Sequence, residues 1–590
     1  MQKRYALLCG AAVGVLFAGA SATAQAAPKH HHHAAAAAAS ETQQKIDSLT
    51  DAVSTLENRL NDEAAARQAD EARAQAAEAK ADAAEADAQA TRSEMQAQIQ
   101  TIPGDVQTAI AANAPKPSDK AYYKGVTLTL GGFLEAAGIY RSKSLDSDIA
   151  SNFAKIPLGN NAVGHTQELR GTARQSRLSL LAQGDINPTT QASFYTEMDF
   201  LGAAQTANSN STNSFNLRIR NVYGTLDWND LGWHLLAGQN WSLVTMNAKG
   251  ITPRNEVTPP SIDAQYIPGF AFARQPQLRL THDFDDHQFW AAVSIENPQT
   301  TFSGSTVAGV NAFTGATGSS LITSASAGQS ASSGFTNINT FSLNHVPDVI
   351  AKIAFEPNIG GAHPVHLELF GLYRDYYDRI NVGANAFGLP TGISNSDVSG
   401  GGVGGGVIVN VIPKMLDIQG SFLTGSGIGR YGAAGLPDVT LHPNGKIEPI
   451  PETMWLGGAT FHATPALDVY LFGGEESETA KPFNATNTGG ATTHIGYGNP
   501  FLSNAGCLSE AATGASALTC TGTVKSVDQV TAGFWDKVYS GRYGYVRVGV
   551  QYSHTDLDTF AGANAAGVPG SLAPKTSDDM VFTSFRYYPF

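Results

Sequence analysis

The feature that most constrains this chain is an asymmetry between its connections. From Lys124 onward, segments of alternating apolar and polar residues are joined by two kinds of linker. Short turn signals fall near Asn187-Pro188, Asn229-Asp230, Asp285-Asp286, Asn358 to His363, Pro413-Lys414, Ala463 to Ala466 and Ser540 to Tyr543. Between them lie long stretches rich in Gly, Ser, Asn, Thr and Ala, near 143–175, 202–214, 240–275, 297–346, 375–402, 424–452, 476–526 and 553–579. Seven short turns and eight long loops require sixteen strands. A soluble sandwich has no reason to gather its short turns on one side. A bacterial transmembrane barrel of even strand number does. The expected fold is therefore all-β, a 16-stranded antiparallel transmembrane β-barrel over residues 124–590.

The alternation within strands supports this reading, because successive side chains of a strand point to opposite faces. In Gln191 to Phe200, Ala192, Phe194, Thr196, Met198 and Phe200 take one face, and Gln191, Ser193, Tyr195, Glu197 and Asp199 the other. Leu178 and Leu180 oppose Arg177 and Ser179, and Val546, Val548 and Val550 oppose Arg547 and Gln551. Charged residues are only 15%, against about 25% in an average soluble domain, and glycine is abundant at 61. No apolar run long enough for a membrane helix follows the N-terminus, and a barrel needs none.

The N-terminus sets the compartment. Lys3 and Arg4 precede an apolar stretch from Tyr5 to Ala20, and Ala24-Gln25-Ala26 is a small-x-small cleavage site. Residues 1–26 thus read as a signal peptide, and 27–40, with its KHHHHAAAAAAS run, as a low-complexity spacer. Export leaves two cysteines, Cys507 and Cys520, placed for a short-loop disulfide in an oxidising compartment. In 41–102, Ile46, Leu49, Val53, Leu56 and Leu60 form a heptad seam that slips into an alanine seam from Ala65 to Ala90. That is an α-helical coiled coil, followed by a Pro-rich linker over 103–123. The coil and the short turns share one side of the barrel, so the coil is expected in the periplasm. Ile/Val at a with Leu at d favours a dimer, whereas barrels of this kind assemble as trimers. The larger barrel interface argues for a homotrimer.

The net charge of −14 is not a property of the barrel alone. Residues 34–105 hold 14 acidic and 6 basic side chains, a net of −8. Nucleic acid is not an expected partner of such a chain. Outer-membrane lipid is, with the cell wall as a further contact for the coil.

The C-terminal segment Phe582 to Phe590 is aromatic and resembles the assembly signal of bacterial outer-membrane barrels, although Pro589 breaks the alternation. Four stretches, Arg174-Gln-Ser-Arg-Leu-Ser-Leu180, Leu217-Arg-Ile-Arg-Asn-Val-Tyr-Gly224, Gly238-Gln-Asn-Trp-Ser242 and Gln275-Pro-Gln-Leu-Arg-Leu280, resemble the DcaP-like porins. The likeness covers the whole chain in layout and is specific mainly over 125–285. It implies a coiled-coil extension, a trimeric sixteen-stranded barrel, a location in the outer membrane of a Gram-negative bacterium, and passive uptake of small solutes with a leaning toward anions such as dicarboxylates.

Candidate pore-lining residues follow from parity. Arg177, Arg218, Arg220 and Arg279 alternate with apolar neighbours, as do Glu197, Asp199 and Glu296. An arginine facing lipid would cost roughly 2–4 kcal/mol at the midplane, so the lumen is their destination. Arg220 sits where Asn221 and Val222 disturb the phase. The third long loop, about 241–274, is the candidate constriction loop, with Arg254, Glu256, Asp263 and Arg274. If Glu256 or Asp263 faces the wall arginines, a transverse field crosses the pore, and neutralising Arg218 and Arg220 lowers anion preference. A sugar-selective porin is the alternative, with Tyr195, Trp290, Phe370, Tyr470 and Phe472 inward by parity. An envelope tether anchored by a barrel is another. No catalytic grouping, metal-ligand spacing or cofactor motif is apparent, so no enzyme, metal or cofactor is expected.

Overall fold

The computed structural model of the chain describes residues 120–145, 147–202, 215–284, 287–314, 342–359, 363–510 and 518–589, with scattered positions between 48 and 93. The chain divides into two units, Met1–Lys116 and Pro117–Phe590. In the first, the described positions, including 86–93, are helical and exposed. The expected signal peptide and spacer, most of the expected linker and the seam residues Ile46, Leu49, Val53, Leu56 and Leu60 lie outside the described residues. Among the described residues, no helix is long and apolar enough to cross a membrane.

The second unit is a closed antiparallel barrel of sixteen strands. They are β1 (Val126–Arg141), β2 (Arg177–Asn187), β3 (Thr190–Gly202), β4 (Asn216–Trp228), β5 (Trp233–Trp241), β6 (Arg274–Phe284), β7 (Phe289–Glu296) and β8 (Asp348–Phe355). The second half comprises β9 (His363–Val382), β10 (Gly392–Ile412), β11 (Leu416–Ser426), β12 (Pro451–His462), β13 (Leu467–Glu478), β14 (Val524–Gly541), β15 (Gly544–Thr559) and β16 (Lys575–Tyr588). Neighbours in sequence pair in order, and β1 pairs with both β2 and β16, which closes the sheet. Closure leaves no open edge.

The seven short turns fall where the turn residues place them. The long loops do so with two corrections. The fifth, expected over 375–402, spans only 383–391, because β9 and β10 run 20 and 21 residues and stay paired throughout. The last shrinks from 553–579 to 560–574. A membrane crossing takes about 9–11 residues per strand. Beyond it a strand has water on its outer face, so its apolar alternation fades while its hydrogen bonds continue. That is why polar strand reads as loop.

The wall is inverted relative to a soluble barrel. Leu471 is 57% exposed on the outside, while its neighbours Tyr470 and Phe472 are each 2% exposed within. Leu217, Ile219, Leu278, Leu280, Val293 and Ile295 share the outer face. The inner face carries charge and aromatic bulk, and the core lies inside the barrel between that wall and the returning loops. One cluster joins Ile149 and Phe153 of the first long loop, Ile262, Tyr266, Ile267 and Phe270 of the third, and Ala433, Ala434 and Leu436 of the sixth with wall residues Trp535, Leu557 and Phe582. In the seventh long loop, Cys507 and Cys520 form a disulfide.

Candidate functional site

The third long loop, 242–273, enters the lumen and is tied to the wall by its own backbone. Leu243 N–H donates to Glu296 of β7 at 2.8 Å, Asn247 N–H to Glu368 of β9 at 3.2 Å, and Gly269 N–H to Glu476 of β13 at 2.8 Å. On β14, the Trp535 indole N–H donates to the Pro260 carbonyl at 2.8 Å. Carboxylates of the inner wall thus accept from loop amides that have no strand partner. Two glycines permit the close approach. At Gly250 (φ 54°) a Cβ would stand 2.6 Å from the Trp290 ring, and at Gly269 (φ 90°) it would collide with the Trp455 carbonyl. Within the loop, residues 246–257 form a small hairpin lobe, closed by Ala248 N–H to the Asn255 carbonyl at 2.7 Å and Val257 N–H to the Met246 carbonyl at 2.8 Å.

Between this loop and strands β2–β5 lies a polar cavity of about 160 Å³, lined by Arg177, Tyr195, Glu197, Arg220, Asn221, Tyr223, Asn240, Trp241, Arg254, Glu256, Thr258 and Tyr266. Three arginines face two glutamates, leaving one positive charge in excess. Arg220 reaches the cavity through a β-bulge. Glu197 pairs with Asn221 and Met198 with Ile219, so Arg220 is the extra residue, and both Arg220 and Asn221 turn inward and are buried. A bulge re-aims side chains in this way, and it is the source of the phase disturbance in the sequence. Arg254 and Tyr266 are left-handed, at φ 67° and 66°, a sparsely populated region for non-glycine residues that clusters at functional sites.

Five of the eleven expected pore residues, Arg177, Glu197, Arg220, Arg254 and Glu256, meet at this cavity. The others do not. Arg218 is held by Asp199 through two bonds of 3.0 and 2.7 Å. Asp199 also accepts from Arg220 at 3.1 Å, so this pair is neutralised within the wall. Arg279 faces inward but is buried, donating to the Trp241 carbonyl at 2.7 Å and to Gln277 at 3.0 Å. Arg274 stacks on Trp241, 4.8 Å from the ring centroid. Asp263 does not line this cavity. Its carboxylate accepts from Ser151 N–H at 3.1 Å and Gln265 N–H at 2.9 Å, tying the first loop to the third, and burial pushes its carboxyl up. The expected acidic loop face is thus Glu256 alone, hydrogen-bonded to Asn240 at 2.8 Å, with Arg254 beside it. Glu296 serves as a loop anchor.

Neutralising Arg218 and Arg220 is therefore a poor probe of the field, because it strands Glu197 and Asp199 in the wall. Breaking such buried pairs costs about 3–5 kcal/mol. The aromatic residues considered for a sugar path are dispersed. Tyr195 lines the cavity, whereas Trp290, Phe370, Tyr470 and Phe472 are buried beneath the loops.

Sequence reading missed the sixth loop, 427–450, which also enters the lumen. Phe272 N–H donates to the Tyr431 carbonyl at 2.8 Å, Gln265 to the Ala433 carbonyl at 2.6 Å, and Ala434 N–H to Glu476 at 2.9 Å. Its run Tyr431-Gly-Ala-Ala-Gly-Leu436 is small and apolar, unlike a solvated loop, and that was the available signal. Among the described residues, no group of three metal-ligating side chains is placed to hold an ion.

Tyr266 adds a titratable element. Its hydroxyl lies 3.5 Å from Arg220 Nη2. Burial opposes its ionisation, but the Arg177, Arg220 and Arg274 guanidiniums outweigh it and bring the phenol down to about 8. Above that pH a phenolate cancels the one positive charge in excess. In a channel of this geometry the chloride-over-potassium permeability ratio should therefore fall as pH is raised from about 7 to about 9, and Tyr266→Phe should abolish the change. Reversal potentials that ignore pH over this range in the unmodified protein would remove the phenol from the field.

No protein-family model and no curated protein matches the sequence. Solved structures do. The outer membrane channel DcaP of Acinetobacter baumannii is similar at a TM-score of 0.51 and 18% identity, over 79% of this chain and 98% of that one. Looser likenesses include an anion-selective porin from Comamonas acidovorans, with TM-score 0.40 and 11% identity over 78% of this chain and 99% of that one. Another is Pseudomonas putida OprB, with TM-score 0.39 and 9% identity over 78% and 94%. The barrel thus shares the fold of the DcaP outer membrane channel.

Proposed function

We propose that this chain is an outer-membrane porin of the DcaP-like family, passing small hydrophilic solutes by passive diffusion and favouring anions. The observation that carries the reading is a closed barrel, apolar outside and charged inside, narrowed by a loop at a cavity with an excess of arginine. Apolar outer strands belong in hydrocarbon, and rings of charge at a narrowing set selectivity. The leaning toward anions that the resemblance to DcaP-like porins implies agrees with the arginine excess. In this reading residues 1–26 direct export, 41–102 form a periplasmic coil ahead of the barrel, and three copies assemble. Tethering to the cell wall through the coil is compatible with transport.

The test is reversal potential in planar bilayers under a potassium chloride gradient, with liposome swelling beside it. The expected result is chloride preferred over potassium, and faster swelling in succinate than in maltose of matched osmolarity. Preference for maltose would favour a sugar path, and absence of conductance would overturn the porin reading.

A further inference from the structure

A row of inward side chains continues from the constriction across the barrel seam. In the strand register, Arg547 of β15 stands opposite Arg586 of β16, and Arg586 opposite Glu135 of β1. Phe133 of β1 stands opposite Arg177 of β2, Arg177 opposite Asp199 of β3, and Asp199 opposite Arg218 of β4. Strands of a closed barrel tilt and their register staggers, so the row is oblique. Arg547 and Arg586 lie near the short-turn ends of their strands, at Gly544 and Tyr588, whereas Arg177 and Arg218 lie at the long-loop ends of β2 and β4. The row therefore climbs from the short-turn rim to the constriction.

Two like charges directly opposite on adjacent strands repel, and aromatic rings hold them apart. Trp535 has Arg586 at 4.4 Å and Arg547 at 5.3 Å from its centroid. Phe133 has Arg586 at 4.7 Å and Arg177 at 5.3 Å. Cation–π contact fixes a guanidinium by its face and leaves its N–H edge directed elsewhere. Each lower arginine also has one carboxylate, Glu135 at 2.8 Å from Arg586 and Asp468 at 2.7 Å from Arg547. These do not use every donor. Arg586 Nη2 and Arg177 Nε are buried without a hydrogen-bond partner. Lys537, exposed at the short-turn rim, lies 5.2 Å over Tyr545, which stacks on Tyr588.

We propose that Arg547 and Arg586 form a second oxyanion station on the short-turn side, continuous with the constriction, over which small carboxylates pass between Lys537 at the rim and Arg177. The proposal rests on the anion-porin reading. Guanidinium edges with unused donors suit carboxylates, and alternation of guanidinium and ring along the wall supplies successive positions.

The experiment is single-channel block by succinate, added to either side of channels inserted in a known orientation. The variants are Arg547→Gln, whose Asp468 keeps His462 as a partner at 2.7 Å, and the paired Arg586→Gln/Glu135→Gln, which leaves no lone buried charge. Both should raise the apparent dissociation constant for block from the short-turn side by about threefold or more, with a smaller change from the long-loop side. Arg177→Gln should do the reverse. An anion-preferring parent whose short-turn-side block is unchanged in Arg547→Gln overturns the station and leaves the constriction standing. A parent that prefers potassium overturns both.

Discussion

Replacing Arg177 and Arg254 together by glutamine should lower the chloride-over-potassium permeability ratio about fivefold, read as a reversal potential shifted toward the potassium equilibrium value. These two are the cavity arginines least committed to the wall. Arg177 stands 4.0 Å from Glu197, the limit of an ion pair, and among the described residues no carboxylate pairs with Arg254. Arg220 is bonded to Glu197 and Asp199, so its charge is largely spent. Fivefold corresponds to about 1 kcal/mol, a fraction of the ~4 kcal/mol between unit charges 4 Å apart at an effective dielectric of 20. With both arginines gone, Glu197 and Glu256 dominate the cavity and the sign of its field inverts. A ratio that stays within error of the parent would place the selectivity filter elsewhere in the lumen.

Excising residues 248–255 and joining Asn247 to Glu256 through two glycines should about double the single-channel conductance or more, since a pore's narrowest section limits its current. The graft is local. Asn247 and Glu256 already bridge in antiparallel register, and the anchors of Leu243 to Glu296 and Gly269 to Glu476 lie outside the excised segment. The lobe carries Ile251, which is buried in the cluster containing Trp290, so the vacated space opens onto the lumen and fills with water. Selectivity should weaken with it, because Arg254 leaves too. Heat-modifiable migration on gels would confirm that the barrel is intact. Unchanged conductance in a folded variant would mean that the third loop does not narrow the path, and that the sixth loop, through Tyr431 to Leu436, sets it instead.

Much of the barrel was legible because its governing signals are local. Period-two alternation is a property of strand geometry, and it assigned Arg177, Arg218 and Arg279 to the inner face one strand at a time. Turn chemistry is equally local, and it placed the seven hairpins. Polar strand outside the membrane was not legible, as at β9 and β10, because its outer face no longer has to be apolar. The sixth loop was missed because loop composition records solvation on average, not which loop turns back into the barrel. Arg547 and Arg586 were visible by parity, Arg547 between Val546 and Val548 and Arg586 between Phe585 and Tyr587. Nothing in one strand alone shows that they stand opposite each other.

By itself the sequence determined the barrel class, the strand number, the inside and outside of most strands, and the presence of arginine within. Only the tertiary structure decided what those arginines do. Arg218 is paired to Asp199, Arg279 is capped by the Trp241 carbonyl, and Arg177 and Arg254 are left facing the cavity. The reason is physical. The direction of a side chain depends on its own strand, but its electrostatic freedom depends on the residue opposite it and on the loop that returns over it. Those neighbours are fixed by register, by one bulge at Arg220 and by the path of the third loop, none of which a local pattern contains.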